Sequence, residues 1–251
     1  MSRDTLIIIP TYNESQNVTE LSKVILAQYP QVELLFIDDN SPDKTGDMLD
    51  DIASKEPRVH VIHRTGKLGL GTAYITGFKW ALERHYEYIF EMDADFSHRP
   101  EYIADFLNLI ADADLVLGSR YTHGVNVVNW PLSRIMISLA GTFYVKFFTG
   151  MPVTDATGGF KCFRRSVLEA LDLDSVKSNG YSFQVEMTYN AWLKGFRIKE
   201  TPIIFYDRVD GVSKMNRKIV YEAVFVVPRL VLANLFKKKP PKVPFFKPRG
   251  S

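Results

Sequence analysis

The chain has 251 residues, 46% of them hydrophobic, enough for one large core, so a single globular domain with an appendage is expected. Its 31 Lys and Arg against 29 Asp and Glu leave a formal charge of +2, which excludes a nucleic-acid binder held by bulk electrostatics. The lone Cys162 excludes an intrachain disulfide and a cysteine-built zinc site and points to a reducing compartment, and the five histidines show no metal-ligand spacing.

In chain order, the apolar run of residues 6–9 is too short for a signal-peptide core, so no export is expected. Strands are predicted over 5–9, 33–37, 59–62, 88–92 and 115–117, and helices over 14–28, 45–54, 70–84 and 100–111. That alternation predicts βαβ units and a mostly parallel sheet with helices on both faces. Polar clusters follow each strand: PTYNE, DDNS, HRTGK, DADFSH and GSRY. Each lies at a carboxyl strand end, the edge where open α/β sheets bind ligands, so the five are expected to converge on one crevice.

Residues 130–148 have the spacing of a long helix, with Leu132, Ile135, Met136, Leu139 and Phe143 on one face. The segment TDATGGFKCFRR carries glycines suited to close backbone approach. A helix with Gln184 and Glu186 is expected over 181–193, and a late strand over 197–205 leads into DRVDGVSK. Residues 219–236 are apolar but interrupted by Glu222, Pro228, Arg229 and Asn234, which argues against a membrane span. An amphipathic helix lying on a membrane, flanked by Arg217, Lys218 and Lys237 to Lys239, and a terminal helix packed on the domain are both compatible with it. The division expected is a catalytic domain over 1–216 and a helix with a basic, proline-rich tail over 217–251.

Asp93 and Asp95, at i and i+2 beyond the fourth strand, suit a hard cation such as Mg²⁺ or Mn²⁺ that shares its site with substrate phosphates. Asp38 and Asp39 at a second strand end and Arg120 at another make an array suited to a nucleoside diphosphate. GLGTAY is not a dinucleotide fingerprint, because Tyr74 stands where the third glycine belongs and the motif follows the third strand. No P-loop pattern occurs.

Taken together in this order, PTYNE, DDNSPDKTGD, GLGTAY, DADFSH, GSRY and RVDGVSK resemble the dolichyl-phosphate mannose synthases, inverting members of glycosyltransferase family 2, over roughly residues 5–215. The resemblance implies a GT-A fold that transfers mannose from GDP-mannose to a polyprenyl phosphate. It implies guanosine contacts from Pro10, Tyr12, Glu14, Ile37 and Asp39, and a metal and diphosphate site at Asp93, Ala94 and Asp95. Arg120, Arg208 and Lys214 would handle phosphate charge, and Arg134 and Ser138, with Arg120, would hold the acceptor phosphate. Ser97 departs from the family, where Gln is common, and the transmembrane extension of many prokaryotic relatives is not expected. The implied enzyme is cytoplasmic and peripheral on a membrane face, with any anchoring subunit left open. Two alternatives remain at this point: a related enzyme using UDP-glucose or another sugar nucleotide, and a catalytically silent partner-binding homologue.

Overall fold

The computed structural model describes residues 4–206 and 217–235. In chain order the elements are β1 (Thr5–Thr11), α1 (Val18–Gln28), β2 (Val32–Asp38), α2 (Thr45–Lys55), β3 (Val59–His63), α3 (Leu70–Glu83) and β4 (Tyr88–Glu91). They continue with α4 (Ile103–Leu109), β5 (Leu115–Ser119), β6 (Val127–Val128), α5 (Leu132–Thr149), β7 (Lys161–Arg164), α6 (Arg165–Ala170), α7 (Gly180–Leu193), β8 (Ile198–Pro202), β9 (Phe205–Tyr206) and α8 (Arg217–Leu235).

Seven strands form one sheet in the order β3-β2-β1-β4-β7-β5-β8. Only β7 opposes the common direction, pairing antiparallel with both β4 and β5. The strand order reverses between β2 and β4 on either side of β1, which opens a crevice beyond their carboxyl ends. In β1 the period-2 rule sends Leu6 and Ile8 to one core layer and Ile7 and Ile9 to the other, and all four are fully buried. Residues of α3, α6 and α7 fill the first layer and those of α1, α2 and α4 the second, so the sheet is covered on both faces as a near-continuous apolar strand requires.

The five early strands and their helices match the expected order. The first helix begins only at Val18, because residues 14–17 form a turn in which the Asn17 and Val18 N–H groups both donate to the Glu14 carbonyl. The segment read as one late strand splits into β8, on the sheet edge, and β9, which pairs with β6. Strand β7 lies inside TDATGGFKCFRR, where only a close-approach loop is expected from the sequence. Its Lys161 and Arg164 are buried in the middle of the sheet, against the usual preference of charged residues for the surface. The α5 face carrying Leu132, Met136, Leu139 and Phe143 is exposed, while Thr142, Val145 and Thr149 are buried. On α8, Val227 is fully buried and Leu230 and Val231 pack on the core, whereas Phe225 and Leu232 are exposed. Among the described residues no helix is long and apolar enough to cross a membrane.

The glycines of GLG act through packing. Gly69 has φ of 103°, and a Cβ on Gly71 would lie 2.5 Å from the Ser178 carbonyl oxygen and 2.9 Å from the Phe183 ring. Gly71→Ala is expected to lower stability by about 1–3 kcal/mol, because backbone and a packed ring cannot yield cheaply. Gly141→Ala, in open space within α5, is expected to raise it by about 0.4–1 kcal/mol. Urea denaturation of both variants checks the opposite signs.

Candidate active site

The loops after β1 and β2 are knitted together by two aspartates. Asp38 accepts from the Thr11 and Ser41 hydroxyls at 3.1 and 2.6 Å, and Asp43 accepts from the Thr45 hydroxyl at 2.6 Å and the Ser15 N–H at 3.1 Å. Burial alone would raise the Asp43 carboxyl, but these bonds from Thr45 and Ser15 bring it down to about 2. Asp39 accepts from Arg64 Nε at 2.6 Å, and Arg64 also donates to the Thr72 hydroxyl and the Gly69 carbonyl at the start of α3. The Lys67 ammonium lies 4.2 Å from the centre of the Tyr12 ring. Tyr12 and Asp39 thus share one end of the crevice with the GLG loop. The Glu14 N–H donates to the Thr45 hydroxyl, Pro10 is partly exposed at the end of β1, and the Ile37 side chain is wholly in the core.

Beyond β4 the chain turns sharply. Asp93 N–H donates to His98 Nδ1 at 3.0 Å, Asp95 Oδ1 accepts from Ser97 N–H at 3.0 Å, and Phe96 takes a left-handed φ of 59°. Burial pushes the His98 imidazole below its ordinary value, which leaves Nδ1 unprotonated and able to accept. The ring stacks on Phe160 with centroids 5.0 Å apart, so the Asp93–Asp95 loop is tied to the aromatic core. Asp93 and Asp95 remain partly exposed while Ala94 is buried. Ser97 is buried, and its hydroxyl has no hydrogen-bond partner among the described residues. Beneath the loop lies the fully buried Tyr74, whose phenol burial raises well above its ordinary value, with Asp93, Glu91 and Asp95 adding to the shift.

Arg120 follows β5 and makes a two-pronged ion pair with Asp155: Nε to Oδ2 at 2.6 Å and Nη2 to Oδ1 at 2.7 Å. Nη2 also donates to the Thr157 hydroxyl, and the Arg120 backbone N–H donates to Asp155 Oδ2. Burial opposes both charges, but their mutual attraction outweighs it, so Arg120 titrates above its ordinary value and Asp155 below. The Asp155 loop is anchored in turn by Glu200, which accepts from the backbone N–H groups of Thr154 and Asp155 and from the Thr154 hydroxyl. Arg120 lies 5.4 Å from the Trp130 ring, and the Arg134 guanidinium lies 3.9 Å from the same ring. Tyr121 sits beside Ser138 in the field of Arg120 and Arg134, so the GSRY cluster and the start of α5 come together. Arg208 and Lys214 lie outside the described residues.

A second charged pair lies under this floor. Glu91 and Lys161 occupy facing positions on β4 and β7, and both are fully buried. Burial pushes the Glu91 carboxyl up to about 7 and draws the Lys161 ammonium down to about 8, each shift limited by the other's charge. Lys161 donates to the Gln184 carbonyl at 2.8 Å, while the Glu91 oxygens make no hydrogen bond of good geometry.

The sequence singles out Asp93, Asp95, Arg120, Arg134 and Ser138, and the fold gathers them at the β4, β5 and α5 ends of one crevice. It does not single out Asp155, Arg64, His98 or Tyr121. Only the glycine-rich context of Asp155 and the placement of the other three within strand-end clusters hint at them.

Residues 6–172 match the family model for glycosyl transferase family 2. The chain belongs to glycosyltransferase family 2. It is 49% identical over 228 residues to an undecaprenyl-phosphate mannosyltransferase of Micrococcus luteus, covering 91% of this chain and 94% of that protein. It is 47% identical over 225 residues to a polyprenol monophosphomannose synthase of Mycolicibacterium smegmatis, covering 89% and 85%. Among solved structures, a mannosyltransferase from Pyrobaculum calidifontis in complex with GDP-Man and Mn²⁺ superposes with TM-score 0.60 at 18% identity, over 95% of this chain and 66% of that one. Glucosyl-3-phosphoglycerate synthase from Mycobacterium tuberculosis, in complex with Mn²⁺, UDP and glucosyl-3-phosphoglycerate, gives 0.62 at 16% identity, over 92% and 79%. These two likenesses establish the GT-A type of α/β fold for this family 2 member.

Asp155→Ala is expected to cost about 3–5 kcal/mol, because it strands the Arg120 charge in a buried site. The double replacement Arg120→Met with Asp155→Leu is expected to cost less, since no charge is left behind. Urea denaturation monitored by circular dichroism measures both.

Proposed function

We propose that this chain transfers mannose from GDP-mannose to a polyprenyl phosphate of the dolichyl or undecaprenyl kind, with inversion at the anomeric carbon. The observation that carries this reading is 49% identity, over 91% of the chain, to an enzyme named for mannosyl transfer to undecaprenyl phosphate. The charge pattern supports it: carboxylates at the β4 end and arginines at the β5 and α5 ends suit two phosphate-bearing substrates meeting in one crevice.

On this reading, Pro10, Tyr12, Glu14, the Ile37 backbone and Asp39 receive the guanosine. Asp93 and Asp95, with Ala94 between them, face the diphosphate. Among the described residues no group of three or more His, Cys, Asp or Glu side chains could hold a metal ion. A two-carboxylate set still fits Mg²⁺ or Mn²⁺, which completes its shell with diphosphate oxygens and water. Bound there, such an ion supplies positive charge to the departing GDP.

Arg134, Ser138 and Arg120 receive the acceptor phosphate. Arg120 spends Nε and Nη2 on Asp155, which leaves Nη1, without a hydrogen bond among the described residues, for a substrate anion. A phosphate monoester has a second pKa near about 6, so the acceptor is already an anionic nucleophile at neutral pH and needs no general base. One of its oxygens bonds to C1 of mannose while the bond from C1 to the diphosphate oxygen breaks and its electron pair leaves with GDP. The residues therefore position two anions in line and offset their repulsion. Arg208 and Lys214 are assigned to the same task from the motif.

A polyprenyl chain cannot be drawn into water at about 0.8 kcal/mol per CH₂ group, so the catalyst works at the cytoplasmic face of a membrane. Exposed Leu132, Met136, Phe143 and Phe147 on α5, with Phe225 and Leu232 on α8, form the apolar surface suited to it.

Incubating the protein with a panel of labelled sugar nucleotides, including UDP-glucose, with Mg²⁺ and polyprenyl phosphate should place label in the organic phase only with GDP-mannose. Transfer from UDP-glucose instead would replace the donor, and no transfer from any donor would leave the silent homologue. Asp95→Ala is expected to lower turnover by about 10²-fold or more in a folded protein. GDP titrated calorimetrically is expected to bind more weakly when a chelator is present. The double replacement Phe143→Glu with Phe147→Glu is expected to weaken liposome co-sedimentation and turnover on long-chain acceptor, with little effect on a short, water-soluble prenyl phosphate.

A further inference from the structure

Among the described residues, two buried donors between β5 and α5 make no hydrogen bond of good geometry: the Tyr121 hydroxyl, which has Ser138 within reach, and the Trp130 indole N–H. Buried polar groups in folded proteins are nearly always satisfied, and the exceptions cluster where a ligand completes the bonding. Both groups belong to one small constellation. The Arg134 guanidinium lies 3.9 Å from the Trp130 ring centre, and the Arg120 guanidinium lies 5.4 Å from the centres of the Trp130 and Tyr121 rings. The Tyr121 hydroxyl is next to Ser138. Phe205 closes another side, edge-on to Trp130 with centroids 5.5 Å apart and 5.7 Å from Arg120. Packing alone accounts for the rings. It does not account for two donors that, among the described residues, lack a hydrogen bond of good geometry beside two arginines.

We infer that the Tyr121 O–H and the Trp130 Nε1–H are hydrogen-bond donors to the acceptor phosphate, an assignment that rests on the polyprenyl phosphate reading above. A phosphate monoester presents three terminal oxygens, of which one attacks C1 and two must be held. Neutral donors hold those two while withdrawing less electron density from the attacking oxygen than a further cation would. Arg120, already neutralised in part by Asp155, and Arg134 supply the charge, and Tyr121 and Trp130 supply direction. Burial raises the Tyr121 phenol above its ordinary value, so it stays a protonated donor through the neutral range. No proton leaves either group during transfer.

Two replacements remove a donor and keep an aromatic ring: Tyr121→Phe and Trp130→Phe. Each is expected to raise the KM for geranyl phosphate about tenfold at saturating GDP-mannose and Mn²⁺, the effect of one neutral hydrogen bond. The dissociation constant of GDP with Mn²⁺ is expected to stay within about twofold of the parent. Acceptor KM unchanged in both variants would overturn the inference, and so would GDP affinity falling in step, since the donors would then serve the leaving diphosphate. A Tyr121→Phe chain that fails to fold would also overturn it, by placing the hydroxyl in the core's own bonding. If the parent protein uses no prenyl phosphate at all, the functional reading falls and this inference with it. If the parent uses one and both variants match it, only this inference falls.

Discussion

Arg120 and Asp155 are joined by a two-pronged bond in a buried site, and most of the crevice is arranged around that pair. Neither charge could be there alone, because an isolated ion in such a site would cost several kcal/mol. The pair fastens the exit of β5 to the loop that leads into β7, and Glu200 on β8 fastens the same loop from the other side through Thr154 and Asp155. With that loop fixed, β7 enters the sheet between β4 and β5, and Phe160 is set against His98. Through His98 the constraint reaches the backbone of Asp93. One ion pair thereby links the acidic loop and the arginine cluster, which arrive from opposite sides of β7.

The placement of charge follows a consistent division. Acids that organise the backbone, Asp38 and Asp43, spend their oxygens on nearby hydroxyl and N–H groups within loops. Asp93 and Asp95 instead sit partly exposed on a turn whose shape is imposed by His98, Ser97 and a left-handed Phe96. A residue held at positive φ without being glycine costs of order 1–3 kcal/mol, and such strain persists where the surroundings over-determine it. Here the buried imidazole, stacked on Phe160, provides that support.

On α5 the large apolar residues point outward while threonines and one valine face the core. In a helix stabilised by its own domain the reverse is the rule. α8 shares the character, packing Val227 inward and presenting Phe225 and Leu232 outward. Arg134 and Ser138 lie on the same helix as the exposed stripe, which under the proposed function would give the phosphate and the prenyl chain of the acceptor neighbouring surfaces.

The sequence by itself determined the order of early strands and helices, because hydrophobic periodicity and strand-end polar clusters are local signals. It also determined that Asp93, Asp95 and Arg120 lie at strand ends, since strand ends are marked by where apolar runs stop. It could not reveal β7, whose Lys161 and Arg164 read as surface residues. Only the fold supplies Glu91 and the Gln184 carbonyl to the first, and Glu87 with the Ile110 and Ala113 carbonyls to the second. Nor could it distinguish Asp38 from Asp39, adjacent and chemically alike, because the difference lies in partners brought from other strands: Thr11 for one and Arg64 for the other. Asp155, 35 residues beyond Arg120, was invisible for the same reason. Periodicity is written along the chain, whereas the pairing of buried charges depends on distances that exist only once the sheet has assembled.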